Sequence, residues 1–69
     1  MDYRELIIKK RKEHDLSQNK LAKLVGVSQP FINEIEKGRK SPSIEVLFKI
    51  CEVLDITIFP DLDQKSNDL

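Results

Sequence analysis

Tyr3, Leu6, Ile7, Lys10 and His14 recur at helical spacing behind Asp2, a residue type suited to capping, and this pattern predicts a first helix over about residues 3–14. Its other face carries Lys9, Arg11 and Lys12. Ser17 is the next start signal. Leu21, Ala22, Leu24 and Val25 follow it in a run of barely two turns, which Gly26 ends because glycine enters the left-handed conformation without steric penalty. Ser28 caps a third helix at once, over about residues 28–36, with Pro30 tolerated in its first turn and Ile32 and Ile35 forming the buried stripe. Gly38 stops that helix and Arg39-Lys40-Ser41-Pro42 forms a loop. Ser43 then opens a fourth helix in which Leu47, Ile50, Cys51 and Leu54 share a face flanked by Ile44 and Phe48. Thr57 is expected to cap a short fifth helix with Pro60 in its first turn. The expected domain spans residues 1–62, followed by a polar, aperiodic and disordered tail over 63–69. No strand pattern or internal repeat interrupts this series, so the expected fold class is all-α, a compact domain of five helices.

A chain of 69 residues, 39% hydrophobic and 35% charged, is too short to divide into two cores. Its single cysteine, Cys51, cannot close an internal disulfide, and with a single histidine, His14, it lacks the soft ligands of a closed zinc site. Stability must then come from well-packed helices, from self-association, or from both. Cys51 falls on the apolar face of the fourth helix and reads as a small core residue, and His14 as a partner for terminal helix carbonyls. No uncharged run approaches the ~18 apolar residues of a membrane span, and Met1-Asp2-Tyr3-Arg4-Glu5 has no basic-then-apolar signal layout. The expected location is cytoplasmic, without a membrane partner. A Gly-rich phosphate loop, a metal-ligand set and a nucleophile–base signature are all missing, so no cofactor, metal, small-molecule ligand or enzymatic activity is expected.

Twelve basic and twelve acidic residues cancel, which by itself argues against a nucleic-acid partner. Their distribution argues for one. Residues 1–43 carry ten Lys/Arg against six Asp/Glu and residues 44–69 carry two against six, leaving parts of +4 and −4. One-sided positive charge is the footprint of a surface that meets phosphates.

Two very short helices joined across Gly26 need a reason to be held at an angle, because helices of that length are marginal in water. A helix-turn-helix supplies one: its second helix is offered to the major groove while the first crosses the sugar-phosphate backbone. Residues 18–37 resemble this motif as found in the lambda-repressor-like, or Cro/XRE-type, family of transcriptional regulators. The resemblance rests on Ala22 where helices approach closely, Gly26 at the turn, Val27 just after it, and Ile32 and Ile35 on the buried side. It extends through Leu16-Ser17-Gln18 before the motif and Glu36-Lys37-Gly38 with Pro42-Ser43 after it, and covers about residues 4–62. Lys10, where the family usually has an apolar residue, and Phe59-Pro60 in the last helix depart from it. The resemblance implies a lambda-repressor-like fold and a sequence-specific regulator, of repressor or controller type, bound to double-stranded DNA. It also implies that Gln18 contacts phosphate and braces Gln29.

Helical geometry separately selects the outward face of the third helix. With Ile32 at the origin and a step of about 100° per residue, Ser28, Ile35 and Glu36 fall near it. Pro30, Glu34 and Lys37 point opposite, and Gln29 and Asn33 lie on the shoulder. Gln29 and Asn33 can donate and accept together, as adenine recognition requires; Glu34 can accept from cytosine and Pro30 can touch a thymine methyl. Those four are the candidate base readers, against the alternative of an ordinary solvated surface. Gln18, at the start of the second helix, and Lys37, Arg39 and Lys40, around the end of the third, are the candidate phosphate contacts. For Lys9 and Lys12 a solvated face and a DNA contact stay equally open, and Phe31 packs beside Ile35 or lies against a sugar. Glu36, near the buried side, needs a cationic partner, which the resemblance identifies as Arg11 in a structural ion pair.

One reader helix covers few base pairs, so the expected binder is a homodimer with two readers about 34 Å apart on a palindromic operator. Residues 56–62 hold more apolar side chains than one short helix can bury. With Ile56 and Leu62 closing the core, Phe59 and Ile58 are the candidate dimer interface; the alternative folds Phe59 back onto the fourth helix of a monomer. A protein-interaction or antitoxin module that keeps the fold without an operator of its own is the competing function.

Overall fold

The computed structural model describes residues 2–57, which form four helices: α1 (Tyr3–Glu13), α2 (Gln18–Val25), α3 (Gln29–Glu36) and α4 (Ile44–Leu54). All are α-helical and no strand occurs among the described residues. Each begins on an extended residue whose side-chain oxygen accepts a backbone N–H two or three residues on. Asp2 accepts from Arg4, Ser17 from Lys20, Ser28 from Phe31 and Ser43 from Val46. At α1 the cap is reciprocal, because the Glu5 carboxylate accepts the Asp2 N–H.

The four ends differ from the four starts. Gly26 closes α2 in the left-handed conformation, φ 92°, and the N–H groups of Gly26 and Val27 both donate to the Ala22 carbonyl, at 2.8 and 3.0 Å. α1 and α4 close on aspartates instead: Asp15 follows the α1 cap at φ 56° and Asp55 caps α4 at φ 58°. Aspartate is among the few side chains that tolerate this region. Thr57 is not helical, and the remainder of the expected fifth helix, Ile58, Phe59 and the tail over 63–69 lie outside the described residues.

The core gathers one stripe from every helix: Ile7 from α1, Leu21 and Ala22 from α2, Ile32 and Ile35 from α3, and Ile50, Cys51 and Leu54 from α4. Leu16, Val25, Val27, Phe31, Val46, Leu47, Val53 and Ile56 close around it. α2 packs on α3 and α4, and α1 packs on the same two, so α3 is held from two sides. Several apolar positions of the sequence pattern turn outward instead. Tyr3 and Leu24 are exposed, as are Ile44 and Phe48 on the flank of α4. Lys10 is half-buried and pairs with Glu13 at 3.4 Å along the same helix. His14 ties the two ends of the fold, its Nε2 lying 3.0 Å from the carbonyl of Leu54, the last residue of α4. Burial pushes the Cys51 thiol up from its usual range.

Candidate nucleic-acid interface

α3 is only eight residues long, and its position depends on what it is tied to. Ile32 and Ile35 anchor it in the core, and Glu36, on the same side, leaves it with a carboxylate whose side chain is only 5% exposed. Arg11 of α1 meets that carboxylate in a fork: Nε donates to Oε2 at 2.7 Å and Nη2 to Oε1 at 3.1 Å. The third donor, Nη1, reaches the Leu16 carbonyl at 2.9 Å. Arg11 therefore joins α1, the α1–α2 turn and α3 through one planar group.

Glu36 also accepts from α2. Gln18 Nε2 donates to Glu36 Oε1 at 2.9 Å and lies 3.4 Å from Asn33 Oδ1, while its Oε1 accepts from Gln29 Nε2 at 2.8 Å. Arg11, Glu36, Gln18, Gln29 and Asn33 form one connected network spanning α1, α2 and α3. Both ends of the Gln18 amide are thus occupied inside the domain. Its side chain has no N–H left for a phosphate, and the first-turn backbone N–H groups of α2 are what that end of the helix can offer one.

Pro30 is exposed, and with Ser28, Phe31, Glu34 and Lys40 it lines a shallow recess of about 300 Å³ on the outer side of α3. Phe31 is shared between this recess and the core, against which it packs. Glu34 is paired: Arg39 Nε donates to its carboxylate at 2.9 Å, and the N–H groups of Arg39 and Lys40 reach its carbonyl at 2.9 and 3.3 Å. Glu34 thereby shapes the basic loop, and Arg39 is held by a carboxylate on the outer side of α3. The pair is exposed, so solvent screening keeps it weak and open to exchange. Lys37, the α3 cap, and Lys40 are exposed.

Arg4 is a further cation of this rim that sequence reasoning missed. Its guanidinium lies directly over Gly38, where a Cβ would collide with Nη1, and it is hydrogen-bonded to the Asp2 carboxylate. That bond, with the Arg4 N–H, holds the Asp2 carboxyl below its usual range. Gly38, at φ 79°, serves both the left-handed turn after α3 and this close approach. The signal was present: Arg4 precedes Arg11 by seven residues, about 20° apart on the helix, so both face α3.

Two short helices joined at a left-handed glycine, the second anchored in the core and edged by a basic loop, have the architecture of a helix-turn-helix domain. Residues 7–59 match the helix-turn-helix family model, and the chain belongs to that family, the Cro/C1-type regulators, which bind double-stranded DNA to regulate transcription and are not enzymes. The ImmF control region 10 kDa protein of Bacillus phage phi105 is 38% identical over 53 residues, 77% of this chain and 59% of that protein. An uncharacterised HTH-type transcriptional regulator of Methanothermobacter thermautotrophicus is 45% identical over 51 residues, 74% of each chain. The HTH-type transcriptional regulator SinR of Bacillus subtilis is 38% identical over 56 residues, 80% of this chain and 50% of SinR. The chain thus spans between half and three quarters of the length of these relatives. No solved structure matches significantly. Among the described residues no helix is long and apolar enough to cross a membrane, and no group of His, Cys, Asp or Glu could hold a metal ion.

Proposed function

We propose that this chain is a sequence-specific, cytoplasmic regulator of repressor or controller type, which reads the major groove with α3 as a homodimer on a palindromic operator. Gln29, Pro30, Asn33 and Glu34 read bases. Lys37, Arg39, Lys40 and the first turn of α2 at Gln18 hold phosphates, Arg39 leaving Glu34 as DNA arrives. Ile58 and Phe59 join the two subunits. The observation that best supports this reading is the bond from Gln29 to Gln18, which holds a polar side chain ready at the start of an otherwise marginal helix. A solvated surface has no need of such bracing.

Selection of bound fragments from random duplex DNA tests it. The wild type should enrich a symmetric site, and Gln29→Ala should lose about 1–3 kcal/mol there with little loss on random DNA, as when a bidentate bond to a base is removed. Equal losses on both would remove Gln29 from base reading. No enriched site at all would favour the protein-interaction or antitoxin module.

A further inference from the structure

The recess on the outer side of α3 brings three kinds of surface together. Pro30 is exposed and Phe31 half-buried, and the two supply an apolar wall. Glu34, one turn beyond Pro30, supplies an acceptor: Arg39 Nε donates to Oε2 at 2.9 Å, while Oε1 takes no hydrogen bond among the described residues. One carboxylate oxygen is therefore available at the recess whether Arg39 stays in place or moves to a phosphate. Lys40 supplies a cation that makes no ion pair among the described residues. The Ser28 hydroxyl at the far edge already accepts the Phe31 N–H at 3.2 Å, as the cap of α3. A volume of about 300 Å³ equals that of about ten water molecules, room for the edge of one base.

No unmodified base answers both the acceptor and the wall. Thymine offers its C5-methyl group, but the neighbouring O4 is an acceptor and would meet the Glu34 carboxylate oxygen to oxygen. Cytosine offers the N4 donor without a methyl group. Adenine offers the N6 donor, but its N7 acceptor would go unpaired against an apolar wall. A cytosine methylated at C5 carries donor and methyl group on adjacent ring atoms, with a backbone phosphate beyond them. We infer that the recess is a site for 5-methylcytosine in double-stranded DNA: Glu34 accepts from N4, Pro30 and Phe31 cover the methyl group, and Lys40 meets the adjoining phosphate. The inference rests on the proposed base-reading role of Glu34 and goes beyond it, since a reader of plain cytosine has no use for the wall. Position matters as much as the added carbon. A methyl group on N4 replaces the one hydrogen that Glu34 could accept, because base pairing uses the other.

The test uses the full chain and the duplex enriched from random DNA, at the operator position whose enrichment Glu34→Ala abolishes. That position is synthesised in one half-site with cytosine, 5-methylcytosine, N4-methylcytosine or thymine, and the affinity of each duplex is measured. The wild type should bind 5-methylcytosine about fourfold more tightly than cytosine, the worth of one buried methyl group. Cytosine should exceed thymine by about tenfold, and N4-methylcytosine should fall below cytosine. Two exposed or partly exposed positions then divide the site. Pro30→Ala, in the first turn where alanine is readily accommodated, should lower the gain from the C5-methyl group and keep the choice of cytosine over thymine. Glu34→Gln, whose amide can also donate to thymine O4, should do the reverse.

Several outcomes would overturn the inference while leaving α3 a reader of DNA. 5-Methylcytosine could bind no better than cytosine, the gain could survive Pro30→Ala undiminished, or N4-methylcytosine could gain as much as its isomer, which would make the effect one of added carbon alone. A wall that serves a thymine at a neighbouring position is also distinguishable: replacing that thymine by uracil would then weaken binding, and methylating the cytosine would add nothing. If Glu34→Ala alters no operator position, the base-reading role of Glu34 itself fails, and this inference falls with it.

Discussion

Arg11 donates in three directions, and two of those bonds end on a side chain that water hardly reaches. Its worth to the fold lies in what its removal leaves behind. Arg11→Ala strands the Glu36 carboxylate beside Gln18 and should destabilise the domain by about 3–5 kcal/mol in urea melts. A change below about 0.5 kcal/mol, as at an ordinary surface site, would mean that Glu36 is solvated. Glu34 and Arg39 form the contrasting case: their pair is exposed at the edge of the recess and can exchange partners when a phosphate comes near. The same two residue types thus clamp the fold in one place and remain available in another, and burial alone decides which. Periodicity put Glu36 near the buried side and Glu34 outward. It could not report that Glu34 is met by Arg39 across the following loop, because helical spacing describes faces within an element and says nothing of a partner beyond its end.

At the scale of elements, the starts of the helices were legible and the stops only half so. Asp2, Ser17, Ser28 and Ser43 stand as caps because a short polar side chain before an apolar stripe has a single local use. Gly26 and Gly38 were equally plain, whereas Asp15 and Asp55 enter the left-handed region with no compositional mark. Ile44, Phe48 and Leu24 fit an apolar stripe yet lie exposed, since a stripe of helical width is wider than the surface these short helices bury. The two glycines can be told apart by substitution. Gly26 has open space around the position of a Cβ, so Gly26→Ala should cost only the strain of a left-handed alanine, about 1–2 kcal/mol. Gly38→Ala adds the displacement of Arg4. In an Arg4→Ala background that extra loss should disappear, leaving a penalty like that at Gly26. Equal effects of Gly38→Ala in both backgrounds would show that Arg4 does not rest on the glycine.

For the molecule as a whole, the opposed charge of its two parts gives the clearest expectation. Lys40→Ala should weaken specific and random DNA binding together and lower the slope of log affinity against log salt by about 0.9, the value for one phosphate no longer neutralised. An unchanged slope would return Lys40 to the solvated surface. Assembly is the second expectation. An apolar cavity of about 220 Å³ lined by Tyr3, Leu6, Ile7, Leu47, Cys51, Ile56 and Thr57 opens near the last described residues. In the proposed dimer, sedimentation should give a mass near two chains for the wild type and near one folded chain for Phe59→Asp. A wild type that stays monomeric at high concentration and binds half-sites as tightly as palindromes would exclude the dimer.

The network of Arg11, Gln18, Gln29, Asn33 and Glu36 also bears on how such a domain could be re-targeted. Its residues come from three helices, and only Gln29, Asn33 and Glu36 travel with α3. A graft of the α3 surface onto another scaffold would carry the side chains proposed to read bases and abandon their supports. The recipient would have to supply a glutamine at the start of its preceding helix and an arginine from its first, or the transplanted preference would blur. In sequence the network spans Arg11 to Glu36, but the packing that holds it draws on α1 and α4 as well.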